Sequence, residues 1–451
     1  MVPKRFALIA HPAGHTMSPF LHGRLFAFRN EAASYGSADI PPSGLAAAVP
    51  RLRQLSGFNV SIPYKRAIIP MLDGCDEKAA AIGSVNTVKN ENGRLTGYTT
   101  DGEGFRRALE FAGQGISGKT AVLGAGGAAR AIVFEALRAG GEVTVAARPH
   151  SLEAAHALAA DAGKKIPGAR VSACLISELR GKRDLLVNAT PAGMYPQTNG
   201  CAANAELVEN SACVFDAVYN PCVTEFLSLA KALGKPAVGG TGMLVCQAAA
   251  SEEIWLGAHF SDSELLELCA ETALETRKKF GNIVLCGFMG SGKTTCGRLL
   301  AAHMGRKFLD LDEFISAREG MSVAEIFRIK GEPAFRKMEK EAVKGLSHAS
   351  GLVIATGGGT LLSPENAGAF RENGIVVWLD ASLGAVRSRI SNDGTRPLLA
   401  KPGALESLYT LRRGRYRGAA DFTVNADESP ENIVKRIMGL LKPADTPKQE
   451  D

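Results

Sequence analysis

Short apolar runs that end in small polar residues recur along the chain, and most are followed by a stretch of helical spacing. Residues 6–10 read as a first strand running into a loop that holds His11, Pro12, Gly14, His15, Thr16 and Ser18. Residues 57–62 form a second apolar run, carrying Asn59 and Ser61 and closing on Lys65, and clusters at 83–88 and 97–102 have the same form. Residues 120–123, 142–146, 185–188 and 214–216 read as strands, the first feeding a helical pattern that runs through Leu137. A glycine turn at 239–242 feeds a helix holding Gln247, and another helix is expected over 263–277. A buried strand at 282–286 follows, then helical spacing around Leu299, Leu300 and Ala301. Residues 308–312 read as a strand whose last two acids, Asp310 and Asp312, point to one side. This alternation predicts an α/β chain with parallel sheets, whose ligand sites gather at the carboxyl ends of the strands.

At 451 residues the chain exceeds one ordinary core, and three units are expected over 1–105, 106–277 and 278–442, with 443–451 a disordered tail. Hydrophobic content of 45%, charged content of 22% and 50 glycines suit tight strand-to-helix turns. A net charge of +6 is mild for this length, which argues against a nucleic-acid partner but suits pockets for phosphates and carboxylates. The nine cysteines include no C-x-x-C pair and no zinc spacing, so reduced thiols in a cytoplasmic protein are expected. The apolar run 6–10 is too short for a signal-peptide core, and no stretch approaches the roughly 20 apolar residues of a membrane span.

Two glycine-rich stretches carry the strongest chemical signal. Gly287-Phe288-Met289-Gly290-Ser291-Gly292-Lys293-Thr294 lies between a strand and a helix, the context in which backbone N–H groups cradle phosphates. Lys293 would reach the terminal phosphates, Thr294 the Mg²⁺ ion, and Ser291 and Thr295 belong to the same ATP cradle. Gly124-Ala125-Gly126-Gly127-Ala128-Ala129 reads as a dinucleotide loop. The position after the second strand, where an acid would hold an NAD ribose, offers Arg148, which favours NADP. Lys65 and Asp101 are the one pair in the early clusters able to move a proton. His11 and His15 stand four apart, but Pro12 and Gly14 deny them a helix and with it a metal site.

Thr16-x-Ser18-Pro19, Asn59-Val60-Ser61-Ile62-Pro63-Tyr64-Lys65, Val85-Asn86-Thr87 and Thr100-Asp101-Gly102 stand in the order and spacing of shikimate dehydrogenases. The resemblance continues through the dinucleotide loop, the stretch around Asn188 and Thr190, Tyr219-Asn220-Pro221, and Gly240 to Gln247. It implies a substrate domain facing a Rossmann NADP domain, with C-terminal helices returning to the former, and reduction of 3-dehydroshikimate. Lys65 and Asp101 would then be the acid/base pair. Thr16, Ser18, Ser61, Asn86, Tyr219 and Gln247 would hold the ring's carboxylate and hydroxyls. Gly124, Gly126, Gly127, Ala128, Arg148, Asn188, Thr190, Gly240 and Met243 would face the cofactor. The family usually has Asn at the Thr99 position and Ser at Thr16, and on Thr16 alone a quinate-preferring dehydrogenase, with the kinase kept, is the nearer alternative. Ala147 and Pro149-His150 around Arg148 also depart from the family's more basic pattern.

Residues 281–441 resemble shikimate kinases, through the phosphate loop, Asp310-x-Asp312, Gly331 to Glu339, Thr356-Gly357-Gly358-Gly359, Gly394-Thr395-Arg396-Pro397, and Arg412 with Tyr416. The resemblance implies that Asp310 sits beside Mg²⁺ and Asp312 holds the substrate hydroxyl. Arg336, braced by Glu339, and Arg412 would clamp the carboxylate, and Gly357, Gly358 and Gly359 would approach the ring. Arg396 would ride on a phosphate lid, and Arg389 would lie on adenine. Gly414 replaces the family's proline. The two resemblances together imply one enzyme converting 3-dehydroshikimate through shikimate to shikimate 3-phosphate, with NADPH, ATP and Mg²⁺. A ligand-sensing protein built on the same folds would be expected to have lost Lys65, Asp101, Lys293 or Asp312, and all four are present. No coiled-coil heptads occur, and the oligomeric state stays open.

Overall fold

A computed structural model describes residues 3–14, 16–389 and 404–442. The chain divides into two compact units, the first running to Leu274 and the second beginning at Glu275. Among the described residues the first unit holds two sheets and the second holds one.

The first sheet contains β1 (Lys4–Ala10), β2 (Ala33–Asp39), β3 (Gly57–Val60), β4 (Gly74–Cys75), β5 (Thr87–Glu91) and β6 (Arg94–Tyr98), in the order β2-β1-β3-β5-β6-β4. β1 pairs in parallel with β2 and β3, while β5 runs antiparallel to β3 and β6. Asn59 lies opposite Leu8 on one side and Thr87 on the other, which places its side chain near the middle of the sheet.

The second sheet is parallel throughout. It contains β7 (Lys119–Leu123), β8 (Glu142–Ala147), β9 (Arg170–Leu175), β10 (Arg183–Asn188), β11 (Ser211–Asp216) and β12 (Ala237–Val238), in the order β12-β11-β10-β7-β8-β9. Its central strands β7, β8, β10 and β11 are largely apolar on both faces, because side chains alternate and both faces are covered. Val122, Val143, Val145, Leu185, Val187 and Phe215 fill one core, and their neighbours Ala121, Leu123, Ala146, Leu186 and Val214 fill the other.

The second unit carries β13 (Asn282–Cys286), β14 (Lys307–Asp310), β15 (Leu352–Ala355), β16 (Gly374–Asp380) and β17 (Phe422–Asn425), all parallel in the order β14-β15-β13-β16-β17. The expected strand at 308–312 is corrected here, since β14 ends at Asp310 and a helix, Leu311–Glu319, begins at once. Asp310 is the N-cap of that helix, its carboxylate accepting the N–H groups of Asp312 and Glu313. This capping stops the strand, and Asp312 lies in the first helical turn. The helix expected at 263–277 runs longer, over Asp262–Phe280. No helix of the described residues is long and apolar enough to cross a membrane.

Candidate active sites

In the first unit Lys65 follows β3, and Asp101 opens the helix Asp101–Phe111. The Lys65 ammonium lies 2.5 Å from Asp101 Oδ2, with Asp101 almost closed to solvent and Lys65 partly open. Asn86 supplies the rest of the frame. Its amide nitrogen lies 3.0 Å from Asp101 Oδ1, 2.9 Å from Thr100 Oγ1 and 3.1 Å from Gln247 Oε1. Gln247 comes from a distant helix, Thr241–Leu256, which can approach only because Gly104 has no side chain. A Cβ on Gly104 would lie 2.6 Å from the Met243 carbonyl oxygen and 3.0 Å from the Gln247 nitrogen.

Thr16 donates to Ser18 Oγ at 3.0 Å, and Ser61 lies just beyond β3 with its backbone N–H on the Ile9 carbonyl. The Tyr219 hydroxyl meets the Met17 backbone, and desolvation pushes this phenol up to about 12, although part of the side chain reaches solvent. These contacts bring Thr16, Ser18 and Tyr219 to one loop.

The dinucleotide loop opens at Gly124, whose φ of 106° excludes most side chains, and a Cβ there would lie 2.8 Å from Thr190. No side chain caps the helix Gly127–Arg138, so its first N–H groups stay available to an anion, which fits a bound pyrophosphate. Gly127 faces Lys65, with room for a Cβ only 3.3 Å from Lys65 Cδ. Ala128 follows in the first turn, Gly240 and Met243 stand at the start of the Gln247 helix, and Arg148 is exposed just beyond β8. Asn188 ends β10. It is fully buried, its amide donating to Asp216 at 2.9 Å and its oxygen accepting from the Thr190 N–H at 3.0 Å and hydroxyl at 2.6 Å. Burial raises the Asp216 carboxyl to about 6 despite its hydrogen bonds to Thr224, Val218 and Asn188.

The second unit builds its site around the loop between β13 and the helix Lys293–Met304. Gly287, Gly290 and Gly292 take φ of 146°, 76° and 90°, so the turn needs glycine at each. Lys293 folds back on the loop, donating to the Gly287 carbonyl at 3.0 Å and the Phe288 carbonyl at 2.9 Å. Ser291 Oγ is buried with no hydrogen-bond partner among the described residues, as a group awaiting a phosphate oxygen would be. Thr295 is exposed one residue beyond Thr294. Thr294 Oγ1 lies 2.8 Å from Asp310 Oδ2, a hydroxyl–carboxylate pair that fits Mg²⁺ when phosphates and water complete the shell. Among the described residues no cluster of three His, Cys, Asp or Glu could cage a metal unaided.

Asp312 faces Gly357, and its Oδ1 has no hydrogen-bond partner among the described residues. Burial, with Glu339 and Asp310 close by, pushes its carboxyl up to about 6 against the pull of Lys293 and Arg336. Arg336 pairs with Glu339 and, at 2.9 Å, with Glu332, while buried Glu339 accepts from Thr360 at 2.6 Å. Arg412, 7% exposed, donates to the Gly358 carbonyl at 3.3 Å, and Tyr416 donates to the same oxygen at 2.5 Å. Gly359 packs on the Arg336 guanidinium. Arg389 donates to the Ala426 carbonyl at 2.8 Å. Arg396 lies outside the described residues, as do His15 and the expected tail at 443–451.

The structure therefore joins Lys65, Asp101, Asn86 and Gln247 in one cluster, and Asp312, Arg336, Glu339, Gly357–Gly359 and Arg412 in another. Sequence reasoning passed over Glu332, Thr360 and Ser251. Glu332 and Ser251 each stand four residues from a site residue on the same helix, Arg336 and Gln247, a spacing that would have flagged them.

A family model described as Shikimate dehydrogenase substrate binding domain matches residues 8–88, and one described as Shikimate kinase matches residues 289–442. Over 276 residues the chain is 40% identical to a Streptococcus pneumoniae protein named shikimate dehydrogenase (NADP(+)), covering 59% of this chain and 95% of that protein. A Moorella thermoacetica protein of the same name is 41% identical over 258 residues, 56% of this chain and 87% of its own length. The crystal structure of a Thermus thermophilus shikimate 5-dehydrogenase in complex with NADP(H) and shikimate is similar with a TM-score of 0.54 and 34% identity, covering 60% of this chain and 99% of that one.

Proposed function

Because this chain belongs to the shikimate dehydrogenase family and carries a shikimate kinase domain after it, we propose that it performs two consecutive reactions, reducing 3-dehydroshikimate to shikimate and then phosphorylating shikimate at the same oxygen. The observation that carries the reading is the Lys65–Asp101 pair at 2.5 Å, set against Gly127 of the dinucleotide loop. NADPH supplies hydride when bound. Negative charge then grows on the carbonyl oxygen, and Lys65 stabilises it and delivers the proton while Asp101, itself held by Asn86, keeps the ammonium in line. Thr16, Ser18, Ser61, Tyr219 and Gln247 bind the carboxylate and hydroxyls. Arg148, exposed where a ribose phosphate would come, sets the preference for NADP, and Thr190, braced by Asn188, lines the same side.

In the second unit the glycine loop with Lys293, Thr294 and Thr295 takes the ATP phosphates, and Thr294 with Asp310 holds Mg²⁺. Arg336 and Arg412 grip the shikimate carboxylate, and Asp312 orients the hydroxyl and takes its proton. Arg389 lies on the adenine side. We assign residues 1–105 to substrate binding, 106–277 to NADP and 278–442 to the kinase. The nine cysteines are all free thiols, which suits the cytoplasm. The test is each half reaction by itself: NADPH oxidation that depends on 3-dehydroshikimate, and ADP release that depends on shikimate. Failure of either withdraws that half of the reading.

A further inference from the structure

This inference rests on the reading of the first unit as a 3-dehydroshikimate reductase. Tyr35, on β2, is buried and touches no part of the Lys65–Asp101 pair. Its hydroxyl donates to Asn59 Oδ1 at 2.6 Å, and the Ser18 side chain hydrogen-bonds the same phenol. Ser18 accepts in turn from Thr16. Three hydroxyls and an amide thus run in one line from the loop that would hold the substrate carboxylate.

The far end of that line is fixed. The Asn59 amide nitrogen lies 3.2 Å from the Asn86 backbone carbonyl, 3.2 Å from Thr87 Oγ1 and 3.1 Å from Ser251 Oγ, and because that carbonyl can only accept it fixes which way the amide points. Asn86 is the residue whose side chain holds Asp101 and Gln247. The Tyr35 ring lies flat on His22, 4.0 Å between centroids and 5° between planes. His22 Nδ1 stands 2.5 Å from Glu252 Oε1, both side chains 1% exposed, on the helix that also carries Gln247 and Ser251. Glu252 Oε2 has no hydrogen-bond partner among the described residues. An imidazole–carboxylate pair this deep is costly, and an apolar pair of equal volume would fill the space at lower cost if stability alone were at stake.

We propose that Tyr35, seated on the His22–Glu252 pair, is a positioning residue for the reduction: its hydroxyl fixes Ser18 at the substrate carboxylate and, through Asn59, the Asn86 that frames the proton-transfer pair. Burial beside Glu252 holds the phenol well above its usual range, so it remains a donor at any working pH. The line joins the two ends of the substrate, and the cofactor lies outside it.

The test is Tyr35→Phe, which keeps the ring and its stacking. Wild-type protein is assayed first, because a wild type that does not reduce 3-dehydroshikimate overturns the underlying reading and not this step. With an active wild type, the variant is expected to raise KM for 3-dehydroshikimate about five- to tenfold, the size of one lost hydrogen bond, and to leave KM for NADPH within about twofold. Tyr35→Phe added to Ser18→Ala is expected to raise KM by less than the product of the two single effects, because only the Asn59 arm remains to be lost. An unchanged KM for 3-dehydroshikimate, equal rises for both substrates, or effects that multiply in the double variant would each overturn the proposal. If Tyr35→Phe does not fold, His22→Gln, which keeps the phenol and removes the ring beneath it, carries the same expected and overturning results.

Discussion

A Cβ placed on Gly357 would lie 2.6 Å from Asp312 Oδ1. The glycine gives that buried oxygen its room, and among the described residues the oxygen has no hydrogen-bond partner to lose. Gly357→Ala is therefore expected to push the carboxylate out of line and lower kinase kcat by about tenfold or more, since small misplacements of a reacting group are expensive. Dehydrogenase turnover of the same protein serves as the control and should not change.

Asp312 also sets a pH dependence. Its carboxyl is raised to about 6, so the ionised form that accepts a proton is lost as pH falls through 6 and is nearly complete by 8. Shikimate-dependent kcat/KM should fall about tenfold per unit below that midpoint, and Asp312→Asn should leave a low, flat profile. A wild-type profile flat from pH 5 to 8 would take the proton-acceptor role away from Asp312.

Gly104 lets two helices of the first unit touch. Gly104→Ala must push the Met243 carbonyl and Gln247 away, at a cost of about 1 to 3 kcal/mol of stability. Thermal unfolding should show that loss, and reduction should weaken with it because Gln247 leaves Asn86.

These outcomes trace what the linear pattern could reveal. Glycines with positive φ at 124, 287, 290 and 292 announce themselves, because a strand feeding a glycine turn and a helix has few other uses. Lys65 and Asp101 were legible through their motifs, lying at strand and helix ends where polar residues are conspicuous. The Asp312 helix was not legible, since two acids after an apolar run suit a strand end as well as a capped helix start, and only the Asp310 carboxylate on the N–H groups of Asp312 and Glu313 decides it. Nor was the His22–Glu252 pair, whose members stand 230 residues apart and meet only through packing. Asn188 looked like another polar strand end, and its commitment to Asp216 and Thr190 appears only in three dimensions.

Arg148 stands exposed just beyond β8, with nothing acidic beside it in sequence. Arg148→Ala is expected to raise KM for NADPH about tenfold, the scale of one charge-assisted phosphate contact, and to leave the weaker use of NADH unchanged. An equal loss with both nucleotides would mean that the arginine does not read the 2′-phosphate.

The central claim is that one chain carries two independent chemistries in series. The most direct measurement follows NADPH loss and shikimate 3-phosphate formation together, from 3-dehydroshikimate, NADPH and Mg-ATP, in wild type, Lys65→Ala and Lys293→Ala. The account predicts both signals in wild type, neither in Lys65→Ala, where added shikimate restores phosphate transfer alone, and NADPH loss without phosphate transfer in Lys293→Ala. Phosphorylated product from 3-dehydroshikimate in Lys65→Ala, or loss of NADPH oxidation in Lys293→Ala, would contradict it.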